Sequence, residues 1–264
     1  MPGLFAENSV TRRVNRENVL LLGGGRALLM QLAHPKVALG VDEHSDFRQQ
    51  PIRRLRRTIR MTMAIVFGDR ETALGAARAV NQVHAGVRGR GYRALDPELL
   101  LWVHATLADT ALVTYETFVQ RLSARERDDF YQEFKLMGEL LGIPPGRFPV
   151  TLGDFALYLD EMMSSGPVRV GRRAHELARH VLRPGLRLLP GPFMVPLEII
   201  TTGLLPPTLR DQYGLAWGSS QQRAYRLAVR TLPRIIALTP SLIRVWPLPG
   251  RTLRLTPGGR AVSS

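Results

Sequence analysis

Hydrophobic residues recur at intervals of three and four along most of the chain, whereas the strict alternation typical of half-buried strands is scarce. This spacing predicts amphipathic helices, because side chains three or four apart share one face of an α-helix. Gly, Pro and capping residues separate the periodic stretches. The predicted helices cover 18–39, with an interruption at Gly23-Gly24-Gly25, and then 51–67, 71–87, 98–121, 123–141, 151–164, 172–182, 209–213 and 219–238.

One of these helices begins with the sequence signature of a capping box. Ser123 is followed three positions later by Glu126. A hydroxyl and a carboxylate at this spacing can satisfy each other's free backbone N–H groups at a helix start. The spacing therefore predicts a helix that starts at Ser123, and Thr151 with Asp154 is predicted to start the helix over 151–164.

The pattern as a whole predicts an all-α protein, with a single globular helical domain over residues 1–264 that encloses a pocket. Its best-patterned part is 15–165, followed by a helical extension over 166–247 and a loose tail over 248–264. No internal repeat and no shift in composition marks a domain boundary. Three segments are predicted to be loops: the polar stretch 41–48, the apolar but Pro- and Gly-rich stretch 186–205, and the tail.

Composition narrows the classes of function. The 264 residues include 36 Lys and Arg against 22 Asp and Glu, a net charge of +14, and Lys36 and Lys135 are the only lysines. Such an excess of arginine favours anionic partners, namely nucleic acid, lipid headgroups or haem propionates. The absence of cysteine excludes disulfides, thiolate catalysis, iron–sulfur clusters and zinc ribbons.

The distribution of apolar residues indicates where in the cell the protein is expected. Residues 1–18 carry charges and lack the apolar core of a secretory signal, and no uncharged apolar window reaches the length of a bilayer span. We therefore expect a cytoplasmic protein without a signal peptide or transmembrane helix. The apolar stretch 186–205, together with the arginine excess, predicts peripheral contact with a membrane.

His84 is the most informative single residue. It recurs at helical spacing with Ala73, Ala77, Val80 and Val87, so we expect it to point inward. An imidazole beside small residues leaves room for a large flat group, and histidine is the natural axial ligand of haem iron in a chain without cysteine. A lone histidine on an apolar face is more often a hydrogen-bonded core residue, so spacing alone leaves both interpretations open.

The other histidines do not form a recognisable metal site. His34, His44 and His104 are scattered, and no pair has the spacing of a helix-borne zinc site. His175 and His180 lie in an arginine-rich stretch and are predicted to be solvated. A haem needs only one protein ligand, so the spacing disfavours zinc more than haem.

The glycine-rich run 23–25 resembles a phosphate-binding turn. The dinucleotide-binding pattern G-x-G-x-x-G is incomplete because residue 28 is Leu, and the Gly-Lys-Ser/Thr of a P-loop is absent. A tight turn between helices is the favoured interpretation.

A dense set of arginines precedes the His84 helix. Arg53, Arg57 and Arg60 share one helical face, whereas Arg54 and Thr58, one turn apart, lie on another. One interpretation is a solvated basic face. In the other, Arg54 and Thr58 face the core with His84, and one of the remaining arginines binds a carboxylate.

Four stretches, in this order, resemble the haem-dependent oxygenases typified by bacterial latex clearing protein (rubber oxygenase) and the MpaB-type oxygenase of mycophenolic acid biosynthesis. The resemblance covers residues 15–165. The stretches are GGRALLMQLAHP at 24–35, RLRRT at 54–58, VHAGVRG at 83–89 and YRALDPELLLWVHA at 92–105.

In that family, a histidine after the Arg-x-x-x-Thr segment ligates haem b, and the Arg and Thr support the site. The resemblance implies that His84 is the proximal ligand of the haem iron. It likewise implies that Arg54 and Thr58 bind the cofactor and assist catalysis.

At one position the sequence differs from that of rubber oxygenase. Rubber oxygenase has a lysine that can occupy the distal iron position, and this chain has Arg57 there. A guanidinium stays protonated and is a poor ligand. The position is then open, or filled by water or another side chain, and Arg57 remains among the cofactor-binding residues. The family also uses a distal carboxylate base, for which Glu43, or alternatively Asp42, is the candidate.

The implied activity is cleavage of a carbon–carbon double bond in an apolar, alkenyl or isoprenoid substrate by dioxygen. The partners expected are haem b, dioxygen, the apolar substrate and a membrane surface. Two alternatives remain: a haem-binding protein without oxygenase activity, and a basic helical scaffold for membranes or nucleic acid. Nucleic acid is disfavoured because the arginines are spread along the chain and no DNA-binding motif is present.

Overall fold

The computed structural model describes residues 2–44, 51–183 and 191–246, with the backbone alone for 51–55 and 191–194. Its described elements are helices and one two-stranded hairpin, β1 (Arg88–Gly89) with β2 (Tyr92–Arg93), which confirms the all-α class. The helices are α1 Val10–Asn15, α2 Gly24–Ala33, α3 Pro35–His44, α4 Pro51–Phe67, α5 Arg70–Gly86, α6 Pro97–Phe118, α7 Ala124–Leu140, α8 Leu152–Ser164, α9 Arg172–Leu182, α10 Gly191–Leu204, α11 Pro207–Gln212, α12 Ser219–Leu238 and α13 Ser241–Arg244, with 3₁₀ helices at Asn18–Gly23 and Pro145–Arg147.

Some predictions fall outside the described residues. They are the end of the loop predicted for 41–48, the start of the stretch 186–205, the tail 248–264 and the side chain of Arg54.

The predicted capping box at Ser123 is present, and the structure shows a second one at Thr151. The Ser123 hydroxyl accepts a hydrogen bond from the backbone N–H of Glu126, whose carboxylate accepts one from the N–H of Ser123, and α7 starts there. Thr151 and Asp154 make the reciprocal pair at the start of α8. Each cap stabilises its helix by about 1 kcal/mol.

The loop predicted over 41–48 is wrong as far as His44. Pro35 occupies the first position of α3, where its missing N–H costs nothing, and the helix continues to His44. Ala38 and Gly40 are buried while Glu43 and His44 are exposed. The polar run is therefore the outward end of an amphipathic helix, and polarity alone did not distinguish it from a loop.

The loop predicted over 186–205 is also wrong for its described part, which forms α10. Pro196 lies inside this helix, yet Ile200 and Leu204 are buried against neighbouring helices. Burial of such apolar side chains compensates for the backbone hydrogen bond that proline removes. Within the described residues, no helix combines the length and apolar content needed to cross a bilayer.

One hydrophobic core joins the first helices to those after residue 166. The buried indole N–H of Trp102 on α6 donates to the carbonyl of Met30 on α2 at 3.2 Å. Tyr213, which follows α11, donates its hydroxyl to the carbonyl of Leu29 at 2.8 Å, and Leu177 of α9 is fully buried in the same cluster. The helices of the predicted extension thus share the core, and the division at residue 166 remains a prediction.

The glycine-rich run is the close-packed junction at which the 3₁₀ helix Asn18–Gly23 passes directly into α2, so the tight turn predicted there is not formed. A Cβ at Gly23 would collide with Thr114 of α6, and one at Gly25 with Thr201 of α10. Arg26, buried just after the run, pairs with Asp109 of α6 at 2.6 Å and donates to the carbonyl of Leu204 at 2.8 Å. This hydrogen-bonded ion pair joins three helices, so the run serves packing.

Candidate active site

The candidate site starts from the antiparallel pair α4 and α5. Each helix has 17 residues, and only Gly68 and Asp69 separate them. A Cβ at Gly68 would meet the carbonyl of Ala64 and the side chain of Thr72, so the turn needs glycine. The two helices contact each other, and an antiparallel pair of equal length is expected to bring the first turns of α4 towards the last turns of α5.

His84 lies in the last turn of α5. Its side chain is half-buried and its Nδ1 atom is shielded from solvent. Ala77 and Ala73, two and three turns earlier on the same stripe, are buried, so His84 lies on the face of α5 that packs inward. The C-terminal end of α5 approaches the protein surface, so the side chain of His84 is less buried than its helical spacing predicts.

A short hairpin follows α5 directly. Gly91, with φ +85°, makes the turn between β1 and β2 in a conformation that favours glycine. The turn points Tyr92 inward, where it is buried. Its hydroxyl donates a hydrogen bond of 2.6 Å to the carboxylate of Glu43 at the end of α3.

The hairpin is fitted closely around this pair. A Cβ at Gly89 would lie 2.6 Å from the Tyr92 ring and 2.9 Å from Glu43 Oε2. The Nε2–H of His44 donates to the carbonyl of Arg88 at 3.1 Å. The end of α3 is thereby held against the segment that leaves the His84 helix.

Tyr92 is a hydrogen-bond donor across the whole physiological range. Desolvation, followed by the hydrogen bond to Glu43 and that carboxylate's charge, raises the pKa of Tyr92 to about 12. The phenol therefore keeps its proton and directs it at Glu43 Oε2. Sequence reasoning missed this residue, although Gly89 and Gly91 before it are a recognisable turn signal.

The two candidate carboxylates face different ways. Glu43 turns to the hairpin, whereas Asp42 forms an ion pair of 3.3 Å with Arg173 of α9. The geometry therefore places Glu43, of the two, with the His84 helix end.

The arginine-rich start of α4 does not have the predicted orientation at every position. Arg57 and Thr58 are both exposed on α4, so the expectation that Thr58 faces the core is wrong. The backbone still places Arg54 and Thr58 one turn apart in the first half of α4.

Two other histidines are core residues. His104 of α6 is buried, stacked on Phe134 with ring centroids 4.9 Å apart and edge-on to Phe148 at 5.5 Å. Desolvation lowers the pKa of His104 to about 3, so the ring is neutral. His34, also buried, accepts a hydrogen bond at Nδ1 from the N–H of Lys36, and desolvation lowers its pKa as well. Across the described ranges, no three His, Asp or Glu side chains converge as a metal-ion site.

A family model described as "ER-bound oxygenase mpaB/B'/Rubber oxygenase, catalytic domain" matches residues 11–234. The chain belongs to this family. The match runs from α1 into α12, beyond residue 165 where the resemblance seen in the sequence ended, and so includes the C-terminal helices that share the core. The mpaB/rubber oxygenase family is one of oxygenases, and this chain carries its catalytic domain.

Curated relatives come from mycobacteria. An uncharacterised protein of Mycobacterium bovis and one of Mycobacterium tuberculosis are each 31% identical to the chain over 226 residues, covering 78% of this chain and 87% of the relative. No solved structure matches the chain significantly.

Proposed function

We propose that the protein is a haem b-dependent oxygenase that cleaves a carbon–carbon double bond in an apolar, alkenyl or isoprenoid substrate. The observation that supports it most is the hydrogen bond of Glu43 with Tyr92 in the hairpin that directly follows the His84 helix, within a chain of the mpaB/rubber oxygenase family.

The donor chemistry at this end of the α4–α5 pair fits haem. A haem iron needs one axial protein ligand, and His84 offers an imidazole with one ring nitrogen shielded from solvent. The exposed Arg57 on the facing helix supplies a cation of the kind that pairs with propionates.

When bound, the haem would supply the iron centre at which dioxygen is activated. In this proposal, His84 would ligate the iron, Glu43 would accept a proton near it, and Tyr92 would orient the carboxylate of Glu43. Tyr92 donates to one carboxylate oxygen and so fixes the direction of the other, in the way that outer residues orient ligands in metal sites. Arg54 and Thr58 support the site in this proposal, and Arg57 stays protonated and does not ligate iron.

The overall reaction is balanced without an external reductant. Both atoms of dioxygen enter the product, the carbon–carbon double bond breaks, and two carbonyl groups form. An apolar substrate agrees with the family description, which names rubber oxygenase. Specificity within that class would come from the apolar helix faces around the site.

The first test is the visible spectrum of the purified protein with a pyridine haemochrome assay, comparing the wild type with His84→Ala. The wild type should show haem b and a Soret band that the variant loses or shifts strongly. His175→Ala is the matched control, since His175 is exposed on α9 and should leave the band unchanged. A band unaffected by His84→Ala would refute the ligand assignment, and no band after haem addition would refute the cofactor.

The second test separates an oxygenase from a haem-binding protein without activity. Turnover of an isoprenoid alkene under ¹⁸O₂ should place label in both carbonyl products. Haem binding with no alkene consumption would favour a carrier or sensor. Strong, salt-dependent DNA binding without a chromophore would instead favour the basic scaffold.

A further inference from the structure

The outward face of α12 and α13 carries exposed large hydrophobic side chains. Leu238 is 85% exposed and Leu242 is 92% exposed. Leu227, Ile235 and Ile243 on the same two helices are also more than half exposed. Single exposed leucines are ordinary, but a set concentrated on two consecutive helices marks an interaction surface.

The opposite face of α12 fixes this orientation. Tyr225, Val229, Leu232 and Ile236 recur at helical spacing and pack into a cluster with α6 and α10. Gly203 of α10 lies so close to the Tyr225 ring that any Cβ there would collide with it. The helix cannot rotate its exposed side chains inward without breaking this packing.

The other end of the surface is held equally firmly. Arg244 of α13 makes two hydrogen bonds, of 2.8 and 3.1 Å, to the buried carboxylate of Glu17. The backbone N–H of Trp246 donates to the carbonyl of Arg16 at 2.9 Å. Leu242 therefore projects from an anchored turn.

Arginines flank the apolar residues along α12. Each is exposed, none pairs with a carboxylate among the described residues, and no acidic residue occurs between Ser219 and Trp246. At 100° per residue they occupy one half of the outward face, and Leu227, Ile235 and Leu238 occupy the other. These arginines are Arg223, Arg226, Arg230 and Arg234.

We propose that this face of α12 and α13, here called the α12–α13 face, docks the protein onto an anionic lipid surface. Helices that lie in the plane of a membrane combine exposed apolar side chains with a basic flank, which is the division seen here. The apolar half would enter the headgroup boundary while the arginines meet lipid phosphates. The inference is independent of haem.

Three other possible partners of the α12–α13 face fit its charge and exposed leucines less well: a second copy of the chain, residues 247–264 and nucleic acid. A second copy of the chain would bring one arginine row towards another, and residues 247–264 contain arginines and no acidic residue. Nucleic acid offers nothing for the exposed leucines to bury against. The stretch 186–205, predicted from the sequence as the membrane-contacting segment, has Ile200 and Leu204 buried and is the weaker candidate.

The test is co-sedimentation of the full chain with vesicles of phosphatidylcholine alone and with one third phosphatidylglycerol. The wild type should bind the anionic vesicles, release them in high salt and bind the neutral ones weakly. Removing two surface arginines with Arg230→Gln/Arg234→Gln should weaken binding roughly 30-fold. Leu238→Glu/Leu242→Glu should abolish it.

Matched controls lie on other helices. Leu157→Glu on α8 changes a leucine that is 70% exposed, and Arg125→Gln removes an exposed arginine from α7. Both should bind vesicles like the wild type, and circular dichroism should show all variants folded, since every change is on the surface.

Three results would overturn the proposal: no binding of the wild type to anionic vesicles, equal binding by the α12–α13 variants, or equal losses in the controls. A dimer in sedimentation velocity that Leu238→Glu/Leu242→Glu dissociates, without vesicle binding, would assign the α12–α13 face to a second copy. Vesicle binding only after removal of residues 247–264 would assign it to that segment.

Discussion

His84 and His104 look alike in the sequence and differ in the structure. Both recur on the apolar stripe of a helix, but His104 lies in the middle of α6 between two phenylalanines, whereas His84 lies in the last turn of α5. Their depths differ accordingly: His104 is buried and His84 half-buried. Periodicity gives the direction of a side chain, and position along the helix decides how far it is from solvent and from other segments.

The largest expected difference is in turnover. His84→Leu should remove alkene cleavage, because it removes the proposed iron ligand. His104→Leu should keep activity within a factor of about three, since it replaces a neutral ring that donates to no described residue with a side chain of similar volume. Steady-state assays of the two variants make the comparison, and the reverse ranking would exchange the roles of the two histidines.

The next difference concerns Tyr92, which lies in the hairpin after the His84 helix. Tyr92→Phe removes the hydrogen bond to Glu43 and should lower kcat about 10- to 100-fold while the Soret band stays. Tyr131→Phe removes a comparable hydroxyl bond, to the carbonyl of Pro149, away from the site. Equal losses in the two variants would reduce Tyr92 to a stabilising residue.

The close packing of Gly89 against Glu43 and Tyr92 offers a steric test of this hydrogen-bonded pair. Gly89→Ala should destabilise the fold by about 1–3 kcal/mol and disrupt the Glu43–Tyr92 pair, because the new methyl would overlap both side chains. Gly86→Ala, three residues earlier, meets nothing within 4 Å and should be neutral or stabilising. Urea unfolding curves of the two variants provide the measurement, and similar curves would contradict the close fit.

The smallest expected effect is a pH dependence that belongs to His104. Desolvation lowers its pKa to about 3 in the folded protein, so below its ordinary pKa the unfolded chain binds the proton more readily. His104 thus favours folding fully above that ordinary value, and the benefit falls steadily as the pH drops towards 3. Between pH 7 and 5.5 the loss should be about 1 kcal/mol. His104→Leu should flatten this part of the stability profile, and an unchanged slope would mean that the ring is not the source.

Much of the fold could be predicted because its signals are local. Ser123 with Glu126, and Thr151 with Asp154, act over three residues, and the helix predicted at 51–67 begins and ends where α4 does. Residues 41–44 were missed because hydrogen bonds and an ion pair with other elements hold this end of α3, and a single sequence does not display them. The helix α10 was missed because burial of Ile200 and Leu204 stabilises a proline-containing sequence.

The candidate site was less predictable for a related reason. His84 and Glu43 were proposed through a resemblance, and their placement depends on the α4–α5 turn and on a hairpin of two-residue strands. Tyr92 was missed because its partner lies on a different element. Thr58 was expected inside because spacing on one helix does not reveal where the neighbouring helix ends.

The hydrogen bond between Glu43 and Tyr92 joins positions 49 apart, and Arg54, Thr58 and His84 all lie between them. One hydrogen bond contributes about 1 kcal/mol, less than the chain entropy lost in closing so long a loop. The closure must therefore depend on the pairing of α4 with α5, whose contacts are close in sequence and form quickly. The residues of the candidate site thus come from one continuous stretch of chain, and their mutual pairings can form during synthesis before the C-terminal helices have been made.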